Sequence, residues 1–143
     1  LVTSSSFGMP GRKVSGVDHN RVTMILAVLE KRAGLLLGGH DVFVNVVGGV
    51  KVDEPAADLA IAIAIASSFK DIAIPSNTII IGELGLGGEV RGVSQFDSRI
   101  KEAARLGFEN VIIPKDNTKE SSRILSLTMT EVSSLAEAID KIC

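Results

Sequence analysis

Residues 53–69 read Asp-Glu-Pro-Ala-Ala-Asp-Leu-Ala-Ile-Ala-Ile-Ala-Ile-Ala-Ser-Ser-Phe, and whether they form strand or helix decides the fold. The Ala/Ile alternation over 60–66 mimics the two-residue period of a strand. Composition and length point to helix instead. Alanine is the best helix former, Pro55 suits a first helical turn, and acids there favour the positive end of the helix dipole. The segment is apolar nearly all round, which predicts a buried central helix. Ala60, Ala62, Ala64 and Ala66 are then expected against a sheet or a neighbouring helix. Asp53, Glu54 and Asp58 cluster at the start. Such a cluster would permit acid/base chemistry. The stronger reading is structural: the acids complement the dipole, and Asp58 holds free backbone amides or a nearby cation.

Outward from this helix, the β-branched alternation Asp41–Val47 predicts a strand broken by Gly48-Gly49 and resumed at Val50–Val52. Before it, Asp18 reads as an N-cap. Val22, Ile25, Leu26, Leu29 and Ala33 follow at helical spacing, and Gly34 reads as the C-cap. Residues 3–16, rich in Ser, Gly and Pro, read as a loop or irregular hairpin tip. On the other side, Thr78–Ile81 is a predicted strand. A glycine-punctuated hairpin returns through Glu89-Val90-Arg91. A helix starts at Asp97 or Ser98 with Ile100, Ala103, Ala104 and Phe108 inward. Asn110–Ile113 is a strand stopped by Pro114, and Lys115–Ser122 is polar loop. Ile124–Met129 is a short strand and Val132–Ile142 a closing helix. The alternation predicts one α/β (α+β) mixed-sheet domain over 1–143.

The chain has 143 residues, 45% apolar and 22% charged, which fits one folded domain rather than two cores or a disordered chain. Fifteen Lys plus Arg against seventeen Asp plus Glu give a net charge of −2. Any anion site is therefore a local patch, not a basic wrapper. With five Phe and no Trp or Tyr, stacking of single-stranded bases is disfavoured. The one cysteine, Cys143, excludes an intrachain disulfide, and two histidines make a metal site improbable. No apolar run reaches membrane-span length. The start at Leu1, without a signal-peptide pattern, reads as a piece cut from a longer chain.

Among motifs, Gly85-Leu86-Gly87 offers two glycines of a dinucleotide fingerprint, but Val90 stands where the third belongs and a β-like segment follows. No P-loop pattern exists. The glycines read as a tight hairpin. No serine sits in a nucleophile elbow, and His19 and His40 read as surface or capping residues. The basic residues are more informative. Residues 1–33 carry Arg12, Lys13, Arg21, Lys31 and Arg32 against Asp18 and Glu30. Arg12-Lys13 reads as a mobile cationic tip suited to phosphate oxygens, with Arg21 on the following helix. Arg91, Arg99, Lys101 and Arg105 form a second candidate group.

Two long stretches, 4–68 and 82–114, closely resemble the C-terminal, Lon-protease-like domain of the RadA/Sms family of RecA-type DNA-repair ATPases. The resemblance implies the Lon proteolytic-domain fold, a mixed sheet with flanking helices in a ribosomal-protein-like βα topology. It also implies a hexamer and a role in DNA binding, with the zinc finger and ATP-binding core elsewhere in the polypeptide. No cofactor or metal is expected in this domain itself. Lon proteases place their nucleophilic serine in an Asp-Gly-Pro-Ser-Ala-Gly motif. Here Asp53–Asp58 matches it with Ala56 at the serine. Their catalytic lysine follows Gly-Gly-Leu, matched here by Ser94-Gln95-Phe96 with Asp97 at the lysine. A Ser/Lys dyad needs a hydroxyl and an amine, so both roles are missing.

The expected function is thus a non-catalytic module supporting sequence-independent contacts to double-stranded DNA, by phosphate, through Arg12, Lys13, Arg21, Arg91, Arg99, Lys101 and Arg105. The competing reading is a pure oligomerisation or protein-interaction scaffold, which the acidic net charge favours. A peptidase using another Ser and Lys is the third. No membrane partner is expected. The location is cytoplasmic for a bacterial source and organellar for a eukaryotic one.

Overall fold

The computed structural model describes residues 1–6, 8–118, 124 and 126–143. In chain order the elements are β1 (Val2–Ser4), β2 (Arg12–Ser15), α1 (His19–Ala33), β3 (His40–Asn45), α2 (Asp58–Lys70), β4 (Thr78–Ile80), β5 (Glu83–Leu84), β6 (Val90–Arg91), α3 (Phe96–Arg105), β7 (Asn110–Pro114), β8 (Thr128–Val132) and α4 (Leu135–Ile142). Short 3-10 turns lie at Leu37–Gly39, Val47–Gly49, Pro55–Ala57 and Lys115–Asn117. The architecture is mixed α/β, as expected.

β3 is the middle strand of one sheet, antiparallel to β1 and parallel to β2. β7 is the middle strand of a second, all-parallel sheet between β4 and β8. β5 and β6 form the hairpin read from the glycine run. The larger hydrophobic cluster joins α1, α2 and α4 to the first sheet and the hairpin, with Ile25, Leu29, Leu59, Ile63 and Leu135 fully buried. The smaller joins α3 to the second sheet through Phe96, Ile100, Val111 and Ile113, and takes in Ala56.

The helix ends follow local chemistry. Asp18 caps α1, its carboxylate accepting the Arg21 N–H at 3.0 Å. Gly34 ends it at φ 71°, its N–H donating to the Leu29 carbonyl. The residues around Pro55 make a 3-10 turn before α2 proper begins at Asp58. Its first turn is stitched to the end of β4: Gly82 N–H donates to Ala56 O at 2.9 Å, and Leu59 N–H to Gly82 O at 3.0 Å.

Four expectations need correction. Residues 3–16 are not simply loop: they contain the second half of β1 and all of β2. Both strands are short, polar outward and paired only with β3, so neither leaves a local pattern. Gly16, at φ 84°, lets β2 pass close to the Val47–Gly49 turn. A Cβ there would lie 2.6 Å from the Val46 Cβ and 2.9 Å from the Val50 carbonyl. Second, α2 is not buried all round: Ala62 and Ala66 are fully buried, Ala60 is half-buried and Ala64 is exposed. Third, the strand expected at 124–129 lies at 128–132. Residue 125 of that reading, and 119–122 of the expected polar loop, fall outside the described residues. Fourth, the closing helix begins at Leu135, because Ser134 caps it by accepting the Glu137 N–H at 3.1 Å. Val132 pairs with Pro114 in the sheet instead.

Candidate nucleic-acid interface

Arg21 is in the first turn of α1, and Asp58 opens α2. The two helices pack against each other in the larger cluster, which turns these residues face to face. Nε and Nη2 of Arg21 donate to the two oxygens of Asp58, the second at 2.9 Å. Asp58 Oδ2 also accepts the Leu84 N–H at 3.2 Å. Asp58 has no exposed surface, whereas the Arg21 side chain is 24% exposed. A buried carboxylate is tolerated only when paired and hydrogen-bonded, which these donors accomplish. The Asp58 hydrogen bond holds the Arg21 guanidinium above its ordinary pKa. Desolvation opposes this, and the charges of Asp58, Glu83 and Asp53 reinforce it. The reading of Asp58 as holder of an amide and a cation is what the fold shows. Arg21 is therefore a brace between two helices.

Arg12 is likewise not a mobile tip. It lies half-buried in β2, where its guanidinium donates to the carbonyls of His40, Leu37 (3.3 Å) and Gly11 (3.2 Å). Those bonds satisfy the carbonyl oxygens around the Leu37–Gly39 turn. Lys13, one residue on, points to the opposite face of the strand and is exposed. Its register neighbour there is Phe43.

The second group is mostly self-neutralised. Arg91 pairs with Glu89 at 2.9 Å on the hairpin. Arg105 makes a forked pair with Glu102 one turn earlier in α3, at 2.8 and 2.5 Å. Arg99 pairs with Glu54 and donates from Nε to the Ser94 carbonyl at 2.8 Å. Lys101 is exposed and has no ion-pair partner among the described residues. Seven candidate cations thus do not form one patch. Lys13 lies over the larger cluster and Lys101 is on α3, over the smaller. One cation that sequence reasoning passed over sits nearer to Lys13's strand. Lys51 is exposed, and with Ser15 of β2 it lines an open pocket of about 380 Å³ beside the Val47–Gly49 turn. A lone lysine between two valines carries no sequence signal of this.

The two positions matched to a Ser/Lys dyad lie some forty residues apart in the chain. Ala56 is buried in the smaller cluster, which also holds Phe96, and Asp97 follows Phe96 on the exposed side of the first turn of α3. Gln95 enters that turn at φ 54°, a left-handed conformation uncommon for a residue with a Cβ. Around it lies an open, polar pocket of about 300 Å³ that Ser94, Asp97, Ser98 and Asn117 help to line. Asn117 holds its rim, Oδ1 accepting the Val93 N–H at 2.8 Å and Nδ2 donating to the Val93 carbonyl at 3.0 Å. The Glu54–Arg99 pair ties the start of α2 to α3. The Arg99 hydrogen bond lowers the Glu54 pKa; desolvation opposes it, and the charge of Arg99 adds a smaller push in the same direction as the bond. Among the described residues no group of three or more His, Cys, Asp or Glu is placed to hold a metal ion. Nor is any helix among the described residues long and apolar enough to cross a membrane.

A compact α/β unit with a glycine hairpin packed against a central Ala/Ile helix defines the class. Residues 4–117 match the family described as "Subunit ChlI of Mg-chelatase", and the chain belongs to that family. More particularly, it is homologous to the C-terminal portion of DNA repair protein RadA. It is 50% identical to that protein of Bacillus subtilis over 97% of this chain and 30% of the relative. It is 49% identical to that of Halalkalibacterium halodurans over 98% of this chain and 31% of the relative. For Synechocystis the match is 51% over 82% of this chain and 23% of the relative. The chain therefore spans about a third or less of the length of these relatives.

Proposed function

We propose that this chain is a non-catalytic, Lon-like domain of a RadA-type DNA-repair ATPase, acting as one unit within a hexamer and adding sequence-independent phosphate contacts to double-stranded DNA. One observation carries the reading: near 50% identity over almost the whole chain to proteins named for DNA repair. The ATP-driven work belongs to the remainder of the polypeptide, and the bacterial relatives favour a cytoplasmic setting. Catalytic silence is supported by the methyl side chain of Ala56, which cannot attack a carbonyl, and by an acid at Asp97 where an amine would be needed. Cleavage of a fluorogenic peptide by the pure protein, abolished by replacing one serine, would overturn that part.

The ion pairs described above favour lysines over the expected arginines as the phosphate contacts. Lys13 and Lys51 are the phosphate contacts in this reading: both are exposed, and Lys51 lines a pocket with Ser15, two residues on from Lys13 along β2. Each phosphate neutralised contributes about −0.9 to the slope of log K against log salt. Lys13→Ala with Lys51→Ala in the full-length protein should weaken binding to all duplex sequences alike and flatten the slope by about 1.8 per protomer. Unchanged affinity and slope would favour the second reading, a scaffold that assembles the ring without touching DNA. That reading is supported by the four arginines already engaged with carboxylates, Arg21, Arg91, Arg99 and Arg105.

A further inference from the structure

The first sheet is unfinished on one side, at the place where the central helix is left uncovered. β1 pairs with only half of β3: Val2, Thr3 and Ser4 lie opposite Val42, Asp41 and His40. One residue earlier, Leu1 and Phe43 exchange both ladder bonds, each at 2.8 Å. β3 runs on to Asn45. On its other side the ladder continues, since Val46 N–H donates to Ser15 O at 3.0 Å. Amides alternate sides along a strand. The N–H and C=O of Asn45 therefore face the same way as those of Phe43, toward the side where β1 has stopped.

Directly beside this open edge is an apolar groove of about 290 Å³, floored by Ala57, Ala60, Ile61 and Ala64 of the 3-10 turn and α2, and walled by Val44 and Val46. Leu1 stands at its end. An open ladder and an apolar trough side by side are what a β-strand fills: its backbone pairs with the edge while alternate side chains enter the trough.

We propose that the groove is the seat of a strand continuous with β1: the segment leading into Leu1 in the full-length polypeptide lies antiparallel to Val44–Val46 and covers the outer face of α2. The register fixes the details. The residue immediately before Leu1 falls opposite Val44, the second before it opposite Asn45, and the third opposite Val46. Val2 and Val42 share the core-facing side, so the first and third residues before Leu1 point into the groove and are apolar. The second exchanges ladder bonds with Asn45 and points outward. The relatives are about three times as long as this chain and match it through their C-terminal portion, so polypeptide is available on that side. This inference holds whether or not the domain binds DNA.

The test is amide hydrogen exchange in the full-length protein, followed at Asn45 and compared with a variant whose three residues before Leu1 are replaced by Gly-Pro-Gly. The Asn45 amide should be protected in the parent and should exchange at least about 10-fold faster in the variant. The Val42 amide, bonded to Gly11 O on the other side at 3.0 Å, should keep its protection and so report that the fold is intact. Free exchange at Asn45 in the parent would overturn the proposal. So would protection that survives the replacement, and protection that rises with protein concentration would assign the groove to a second copy of the chain. A charged residue at the first or third position before Leu1 would also count against it.

Discussion

The helix α2 is held in two ways, and the contrast shows which parts of this domain are complete in themselves. On one side Asp58, Leu59, Ala62, Ile63 and Ala66 are sealed from water. There the ion pair to Arg21 is buried and backed by a backbone amide. On the other side Ala60, Ile61 and Ala64 open into a groove. The second ion pair at the helix start, Glu54–Arg99, stands half in solvent, with Glu54 49% exposed. The sealed side carries the stability of the fold. The open side carries surface that remains to be used by something else.

The contrast breaks most sharply at Asp58. Asp58→Ala leaves Arg21 with a partly buried, unpaired charge and the Leu84 amide without its acceptor. The expected loss is about 3–5 kcal/mol in chemical denaturation. Replacing the pair together, Arg21→Met with Asp58→Leu, should recover most of it, because apolar residues of similar volume substitute well for a buried pair. If the double variant is as unstable as Asp58→Ala, the role of Asp58 is to hold the β5 backbone rather than to balance Arg21.

Next in size is a comparison along the same helix. Ala62→Leu pushes three extra carbons into a sealed contact and should cost about 1–3 kcal/mol. In residues 1–143 alone, Ala64→Leu, on the open side, should stay within about 0.5 kcal/mol. Equal costs there would mean that a second copy covers the groove, whereas a larger cost in the full-length protein is what the proposed strand predicts.

These two sides were not equally legible in the sequence. The sealed side follows from local rules: the Pro55 start, the helical run of alanines, the Asp18 and Gly34 caps of α1, and Asp58 as a holder of amides and cations. The open side needed partners that no local pattern names. β1 and β2 are three and four residues long, and they exist because β3 pairs with them. Val132 reads in sequence as the start of the closing helix, whereas five-residue pairing of β8 with β7 takes it into the sheet. The arginines illustrate the same limit. Charge counting finds Arg12, Arg21 and Arg99, but partners that occupy them, the Leu37 carbonyl and the Asp58 and Glu54 carboxylates, lie 25 to 45 positions away. The resemblance of Ala56 and Asp97 to an emptied dyad was legible, since it depends on short motifs.

A smaller effect separates the two ion pairs at the start of α2. Glu54→Gln should cost no more than about 1 kcal/mol, as expected of a solvent-screened pair. Its sign with pH is fixed by the lowered pKa: the contribution is present above the ordinary glutamate value and fades as pH falls below it. Salt should weaken it as well, whereas the buried Arg21–Asp58 pair should respond little to salt. Denaturation midpoints of Glu54→Gln and wild type at low and high salt measure this directly. A cost for Glu54→Gln that matched Asp58→Ala would erase the distinction between the two pairs.

The smallest expected effect lies at α4, which packs on the sealed side yet is fastened by an exposed carboxylate. Glu137 accepts from the Lys141 ammonium at 2.8 Å and from the backbone N–H and hydroxyl of Ser133 at 2.8 and 2.9 Å. These bonds, with the Lys141 bond foremost, push its pKa down to about 2, against slight desolvation. A folded-state pKa below the unfolded one means that the contribution is whole above the unfolded value and is lost as pH falls toward the folded one. Wild type should therefore exceed Glu137→Gln in stability near neutral pH by a small margin. That margin should shrink from about pH 5 downward and vanish near pH 2. Thermal melts of the two proteins across that range provide the measurement. No margin at any pH would show that the carboxylate charge is irrelevant and that Glu137 serves only as a neutral cap for the Ser133 amide, a job the glutamine oxygen does equally well.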